Sequence, residues 1–234
     1  MSSVTLESIA SGPVTGDERV RLLANMAEAL HAIAQPLTIL RSSVAASASV
    51  GIDPIKQRRY LELSTQQVER LCSQFECIQD LVIASQTQAE CAPIELSGLL
   101  AAVVRDKQAE LKTSGIELRV VIPGSLPAVL GDATRTLQAL LAGLKMAASV
   151  SIAGDEVDLL ANAGNGYLDL VVRSGRTRGR SLNSSERLGL FLAEMNILSQ
   201  QGKYECTDDP FRVVLRLPLQ NVEGANRASD GTDV

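Results

Sequence analysis

Apolar residues recur at Leu23, Met26, Leu30, Ile33, Leu37, Leu40 and Val44, in alternating steps of three and four. That rhythm keeps one side of a helix apolar and forms the a/d seam of a helix packed in a bundle. A second seam follows at Leu61, Ser64, Val68, Leu71, Phe75, Ile78 and Val82. Between the two lies a break in which Gly51 suits a helix end, Asp53 an N-cap and Pro54 a first turn. The first helix is predicted to open on the capping box Thr15-Gly16-Asp17-Glu18 and to run to about Ser47, roughly 50 Å in length. The second spans about 54–85. Two long helices joined by a short loop form an antiparallel hairpin. One hairpin cannot cover both seams. A second copy completing a four-helix bundle is the economical solution; the alternative is that the seams pack on the chain's own C-terminal half.

The only histidine of the chain lies in the first helix. With Leu30 at position a, His31 is at b and points off the seam toward solvent. Five residues later Pro36 removes a backbone donor inside the helix, which predicts a local bend.

At 234 residues and 24.9 kDa the chain holds one large or two small domains. Apolar residues are 45% of it, enough for a core, and with three Tyr, three Phe and no Trp that core must be aliphatic. Net charge is −5 and there is no Lys/Arg stripe with interleaved aromatics, which argues against a nucleic-acid partner. No apolar run has the length of a membrane span, and no basic segment followed by an apolar one marks a secretory signal, so no membrane contact and a cytoplasmic location are expected. Cys72, Cys77, Cys91 and Cys206 show no C-x-x-C spacing, and with a lone histidine they predict free thiols and no metal.

Residues 1–14 are Ser-rich and aperiodic, and the tail 221–234 reads as disordered. The hairpin occupies 15–85, and 86–92 is a short polar linker. From 93 to 220 the pattern changes. A short strand at 93–96 precedes a helix with Ser97 as N-cap, ending near Lys112 before Gly115. Strands follow at 116–122 and 128–130, then a helix capped by Asp132 to about Ser149. Strands at 156–163 and 167–174 flank Gly164-Asn165-Gly166, a strong hairpin turn. The capping box Asn183-Ser184-Ser185-Glu186 opens a helix to about Gln201, and strands at 203–206 and 212–217 close the chain. The fold class is α+β: a long helical hairpin, then a mainly antiparallel sheet with helices on one face.

The stretch Leu30-His31-Ala32-Ile33-Ala34-Gln35-Pro36-Leu37 resembles the histidine box of two-component sensor kinases, H-E-x-x-x-P-L, in which the histidine carries a phosphoryl group. The order of elements after it resembles the Bergerat-type ATP-binding domain of the same family, with Leu130-Gly131-Asp132 before a helix and Arg212-Val213-Val214-Leu215-Arg216-Leu217-Pro218 as its closing strand. The likeness covers roughly 15–220. It implies a dimer through the hairpin, a phosphoryl-accepting His31 and response-regulator receiver domains as partners.

Measured against that pattern, the nucleotide ligands are missing. The helix that carries magnesium-binding asparagines in the family reads Leu140-Leu141-Ala142-Gly143-Leu144-Lys145-Met146-Ala147, placing Ala142 and Met146 where oxygens are needed. The adenine-binding aspartate of D-x-G-x-G falls on Arg173, ahead of Gly175, and a guanidinium cannot accept a hydrogen bond. A later glycine pair survives only as Gly189, and the segment from Gly175 to Gly189 is short for an ATP lid. No nucleotide cofactor is expected. Arg173, Arg176, Arg178 and Arg180 form a basic cluster that reads either as a solvated loop or as a site for an acidic partner.

Ala32 replaces the acid that serves as general base in a kinase. Accepting a phosphoryl group from a receiver's aspartyl phosphate needs less, because the receiver brings the metal and the charged cradle. Two readings follow: a dimeric histidine phosphotransferase of a phosphorelay acting through His31 without ATP, or an inactive pseudokinase that binds a regulator or kinase through the same hairpin. In either, the partner surface is the outward face of Ala34, Gln35, Thr38 and Arg41, with Arg70 from the second-helix stretch 67–74.

Overall fold

The computed structural model describes residues 16–49, 51–175, 182–208 and 210–220, the side chains of 16–29, 85 and 86 excepted. Thr15, Arg176, Arg178, Arg180 and the tail lie outside the described residues.

Asp53 accepts a hydrogen bond from Ile55 N at 3.0 Å and Pro54 fills the first turn, so the second long helix begins where its cap sets it. It is α2, Pro54–Gln86, lying against α1, Gly16–Ser47. Gly51 turns between them at φ 78°, a conformation that favours glycine. Gln57 Nε2 reaches back to Ser47 O at 3.2 Å, which fixes the register of the hairpin. Helix α1 continues through Pro36, which is buried.

Within one chain the seams are only half covered. Leu30, Leu37 and Val44 on α1, and Leu61, Val68, Phe75 and Val82 on α2, are exposed and fall seven residues apart on each helix. The residues that α2 buries are instead Ser64, Gln67, Leu71, Gln74 and Leu81. The C-terminal half does take part of the seam, since Ile78 and Leu81 pack against its last helix.

Helices α3 (Leu96–Thr113), α4 (Ala133–Val150) and α5 (Ser184–Leu198) accompany strands β1 (Ala92–Ile94), β2 (Glu117–Val121), β3 (Val129–Gly131), β4 (Glu156–Gly164), β5 (Tyr167–Ser174), β6 (Lys203–Asp208) and β7 (Phe211–Pro218). The main sheet has the order β2-β4-β5-β7-β6 and is antiparallel except between β2 and β4. β1 and β3 form a separate antiparallel pair. Asn165 and Gly166 both have positive φ, 52° and 78°, as a tight turn between β4 and β5 requires. Along β5 the alternation is plain: Leu168, Leu170, Val172 and Ser174 are buried toward the helices, while Arg173 is exposed. The core is aliphatic around one buried phenylalanine, Phe211.

Beyond shifts of one or two residues at strand ends, two helix boundaries differ from expectation. Ser97 does not cap α3; the helix starts at Leu96 after Glu95, whose side chain makes no capping bond, because Leu96 is drawn inward as a fully buried core residue. Helix α5 ends at Leu198 rather than near Gln201, whose φ of 61° breaks the helical run.

Candidate functional site

His31 is exposed, and so are Ala34, Gln35, Thr38 and Arg41. Their three- and four-residue spacing puts 31, 34, 35 and 38 on one outward strip of α1. Thr38 Oγ1 is tied down by Ala34 O at 2.9 Å. Across the hairpin Arg70 is half-buried. Its neighbours Gln67 and Gln74 do not flank an open surface, because they share the helical phase of Leu71 and turn inward. Gln74 is only 2% exposed, and among the described residues neither of its amide atoms has a hydrogen-bond partner. Ala32, beside the histidine, is 3% exposed. A carboxylate at that position would be withdrawn from water.

Ala142, Met146 and Gly189 do come together. They line a cleft of about 330 Å³ bounded by α4, α5 and α2. Its third wall was not foreseen: Ser73, Glu76, Cys77 and Asp80 of α2. Among the described lining residues are three carboxylates, Glu76, Asp80 and Glu186, and one cation, Lys145. A polyphosphate would meet like charge there, and neither Ala142 nor Met146 offers an oxygen to a cation. Burial, with the negative charge of Asp80, pushes the Cys77 thiol up to about 11 against the pull of Lys145. Among the described residues no group of three His, Cys, Asp or Glu could hold a metal ion.

Arg173 and Gly175 stand apart from this cleft, a correction to the expected site. Strand alternation sends Arg173 to the sheet face away from the helices, where its Nε donates to Asp158 Oδ2 at 2.6 Å. Arg119 Nε donates to the other oxygen of Asp158 at 2.6 Å. The three residues are register partners across β2, β4 and β5. Burial alone would raise the pKa of Asp158, but the hydrogen bonds from Arg119 and Arg173 outweigh it and hold it below its ordinary value. Arg173 is thus a strand residue in an ion-paired row, not part of a solvated loop. Gly175 closes onto Glu156 O through its N–H at 2.8 Å. The inward residue at this strand end is Ser174, within 3.1 Å of Ser151 Oγ.

Sequence reasoning also passed over Arg135. It lies on the buried stripe of α4 with Ala139, Gly143 and Ala147, all four residues apart. A cation in a buried phase must be fully partnered, and that was the available signal.

No family model matches the sequence, and no match to it was found among curated proteins. Among solved structures the chain is similar to histidine kinase AdeS of Acinetobacter baumannii, at 17% identity and a TM-score of 0.62, over 82% of this chain and 98% of that one. It is similar to histidine kinase ThkA, in a complex with response regulator protein TrrA, at 17% identity and a TM-score of 0.69, over 87% of this chain and 64% of that one. Full-length ShkA in complex with AMPPNP gives 16% and 0.55, over 73% of this chain and 41% of that one. The chain has the α+β fold of histidine kinases, a helical hairpin followed by their ATPase-like domain. No helix among the described residues is long and apolar enough to cross a membrane.

Proposed function

We propose that this chain is a histidine phosphotransferase of a two-component pathway, working as a homodimer and without ATP. The observation that carries the reading is the contrast between an exposed His31 and a cleft whose Ala142 and Met146 have no metal-binding oxygen. A kinase needs both a nucleophile and a nucleotide site; this chain keeps the first. An imidazole nitrogen of His31 attacks the phosphorus of a receiver's aspartyl phosphate. The P–N bond forms as the acyl phosphate P–O bond breaks, the aspartate leaves as carboxylate, and the imidazole carries the phosphoryl group onward. The receiver supplies its own cation. That ThkA was captured with a response regulator supports the partner class. The exposed a-position residues Leu30, Leu37, Val44, Leu61, Val68, Phe75 and Val82 support a second copy as the cover of the hairpin.

Ala32 favours a second reading, a binding module without phosphotransfer, because no acid stands beside the histidine. Incubation with phosphorylated receiver domains separates the two. The phosphotransferase acquires acid-labile label that His31→Gln abolishes without changing the melting temperature; tight binding with no label in the wild type identifies the binding module. Calorimetric titration with Mg-ATP is expected to be flat, and micromolar binding would overturn the loss of the nucleotide site.

A further inference from the structure

Two domains on a short linker move relative to one another by default unless their interface is well built. Here the linker starts in the grip of Arg135, which is 7% exposed. One terminal nitrogen of its guanidinium donates to Ser199 Oγ at 2.7 Å and Ala84 O at 3.4 Å. The other donates to Thr87 O and Thr87 Oγ1, both at 2.8 Å. Its Nε lies 3.6 Å from Asp132 Oδ2. A single buried cation thus joins the end of α2, the start of α4 and the residue after α5. The linker is pinned again where Glu90 N donates to Asp132 Oδ2 at 3.3 Å.

Along the rest of the contact, Leu81 of α2 is buried with Leu188 and Leu192 of α5, and Cys77, Ile78 and Phe191 close around them. Parting the domains would wet this apolar seam and strip the guanidinium of its acceptors at Ala84 and Thr87, the end of α2 and its C-cap, at once. Breaking a buried charge's partners is among the more expensive local changes a fold can undergo.

We infer that Arg135 and the α2–α5 seam fasten the C-terminal domain onto the hairpin, so that the chain moves as one rigid body and α2 remains the wall of the vestigial cleft. The chain then presents His31 and the C-terminal domain to a partner in one fixed relation. This does not depend on the chemistry of His31, and its failure would leave the phosphotransferase reading standing.

Cys77 is half-buried where the fastened contact meets the cleft, whereas Cys72 on the same helix and Cys91 on the linker are exposed. Alkylation of the full native chain with iodoacetamide, read peptide by peptide by mass spectrometry, therefore reports domain separation. Wild-type Cys77 should react at least about tenfold more slowly than Cys72 and Cys91. Arg135→Met should raise the Cys77 rate several-fold while Cys72 stays unchanged. Leu192→Ala tests the seam independently should the arginine variant fail to fold, which its circular dichroism melt would reveal. Wild-type Cys77 reacting within about twofold of Cys72 would overturn the inference. So would folded variants that leave the ratio unmoved.

Discussion

The C-terminal domain and the helical hairpin solve burial in opposite ways. In the domain, Leu140, Leu159, Leu168, Leu170, Leu215 and Leu217 are fully enclosed by elements of the same chain. In the hairpin, the contact between α1 and α2 encloses Ser43, Ser47, Ser64, Gln67 and Gln74, while Leu30 stands 67% exposed. Each of the three serines bonds a carbonyl of its own helix, so those hydroxyls add nothing across the interface. One region is complete as a single chain. The other encloses Leu71 and Leu81 but, among its described residues, leaves Leu30, Leu37, Val44, Leu61, Val68, Phe75 and Val82 outside.

The sharpest way to break this comparison is to cut each region at its most apolar point. Phe211→Ala empties the centre of the domain core and should cost about 3–5 kcal/mol in chemical denaturation, whatever the protein concentration. Phe75→Glu removes an exposed ring, and in an isolated chain should shift stability by no more than about half a kcal/mol. If a second copy covers that face, the same change dissociates the dimer in sedimentation equilibrium and abolishes the concentration dependence of the melt. A wild type that sediments as a folded monomer at low micromolar concentration would end the dimer proposal.

Smaller effects sharpen the contrast. Gln74→Leu removes two amide atoms that have no partner among the described residues and should stabilise the hairpin by about 1 kcal/mol, opposite in sign to any polar-to-apolar change that breaks a real bond. A lowered melting temperature would show that the amide has a partner in the assembled protein. On the sheet, Asp158→Asn keeps one neutral acceptor and turns the other oxygen into a donor facing a guanidinium, so it should cost about 1 kcal/mol or more at neutral pH. Because the folded pKa of Asp158 lies below its ordinary value, its contribution is fully present above the unfolded carboxylate range. It is lost as pH falls through the folded value. The difference between Asp158→Asn and wild type should therefore shrink in acid melts.

Local chemistry announced itself in the sequence at most caps and turns, Ser97 being the exception where a buried Leu96 overrode it. The caps at Asp53, Asp132 and Asn183 all form, the last with Glu186 reciprocating. The turn at Asn165-Gly166 and the two long helices were equally plain, since each depends on a few neighbours and a steady period. Matters settled by pairing were not legible. The outward turn of Arg173 follows from the register of β5 against β4, and its partner Asp158 lies fifteen residues away. Arg135 finds its acceptors at the C-terminal ends of two other helices, and the α2 wall of the cleft comes from packing between elements far apart in the chain. At the histidine, the outward strip was readable from the heptad phase, whereas the inward turn of Gln67 and Gln74 was not, because glutamine gives no hint of which side it faces.

The parallel pairing of β2 with β4 sets a timetable for assembly. Residues 117–121 must meet residues 156–160 across the whole of α4, and closing that span is slow compared with winding a helix. The hairpin helices, built from near neighbours, form early but have a largely polar seam, with Ala32 and Leu71 among serines and glutamines, to hold them. They gain lasting protection only once α5, which lies between β5 and β6 in the chain, is in place against them. Refolding followed at tryptophan-free wavelengths, by far-ultraviolet dichroism, should accordingly show a rapid helical phase. Amide protection along α2 and α5 should rise later and together.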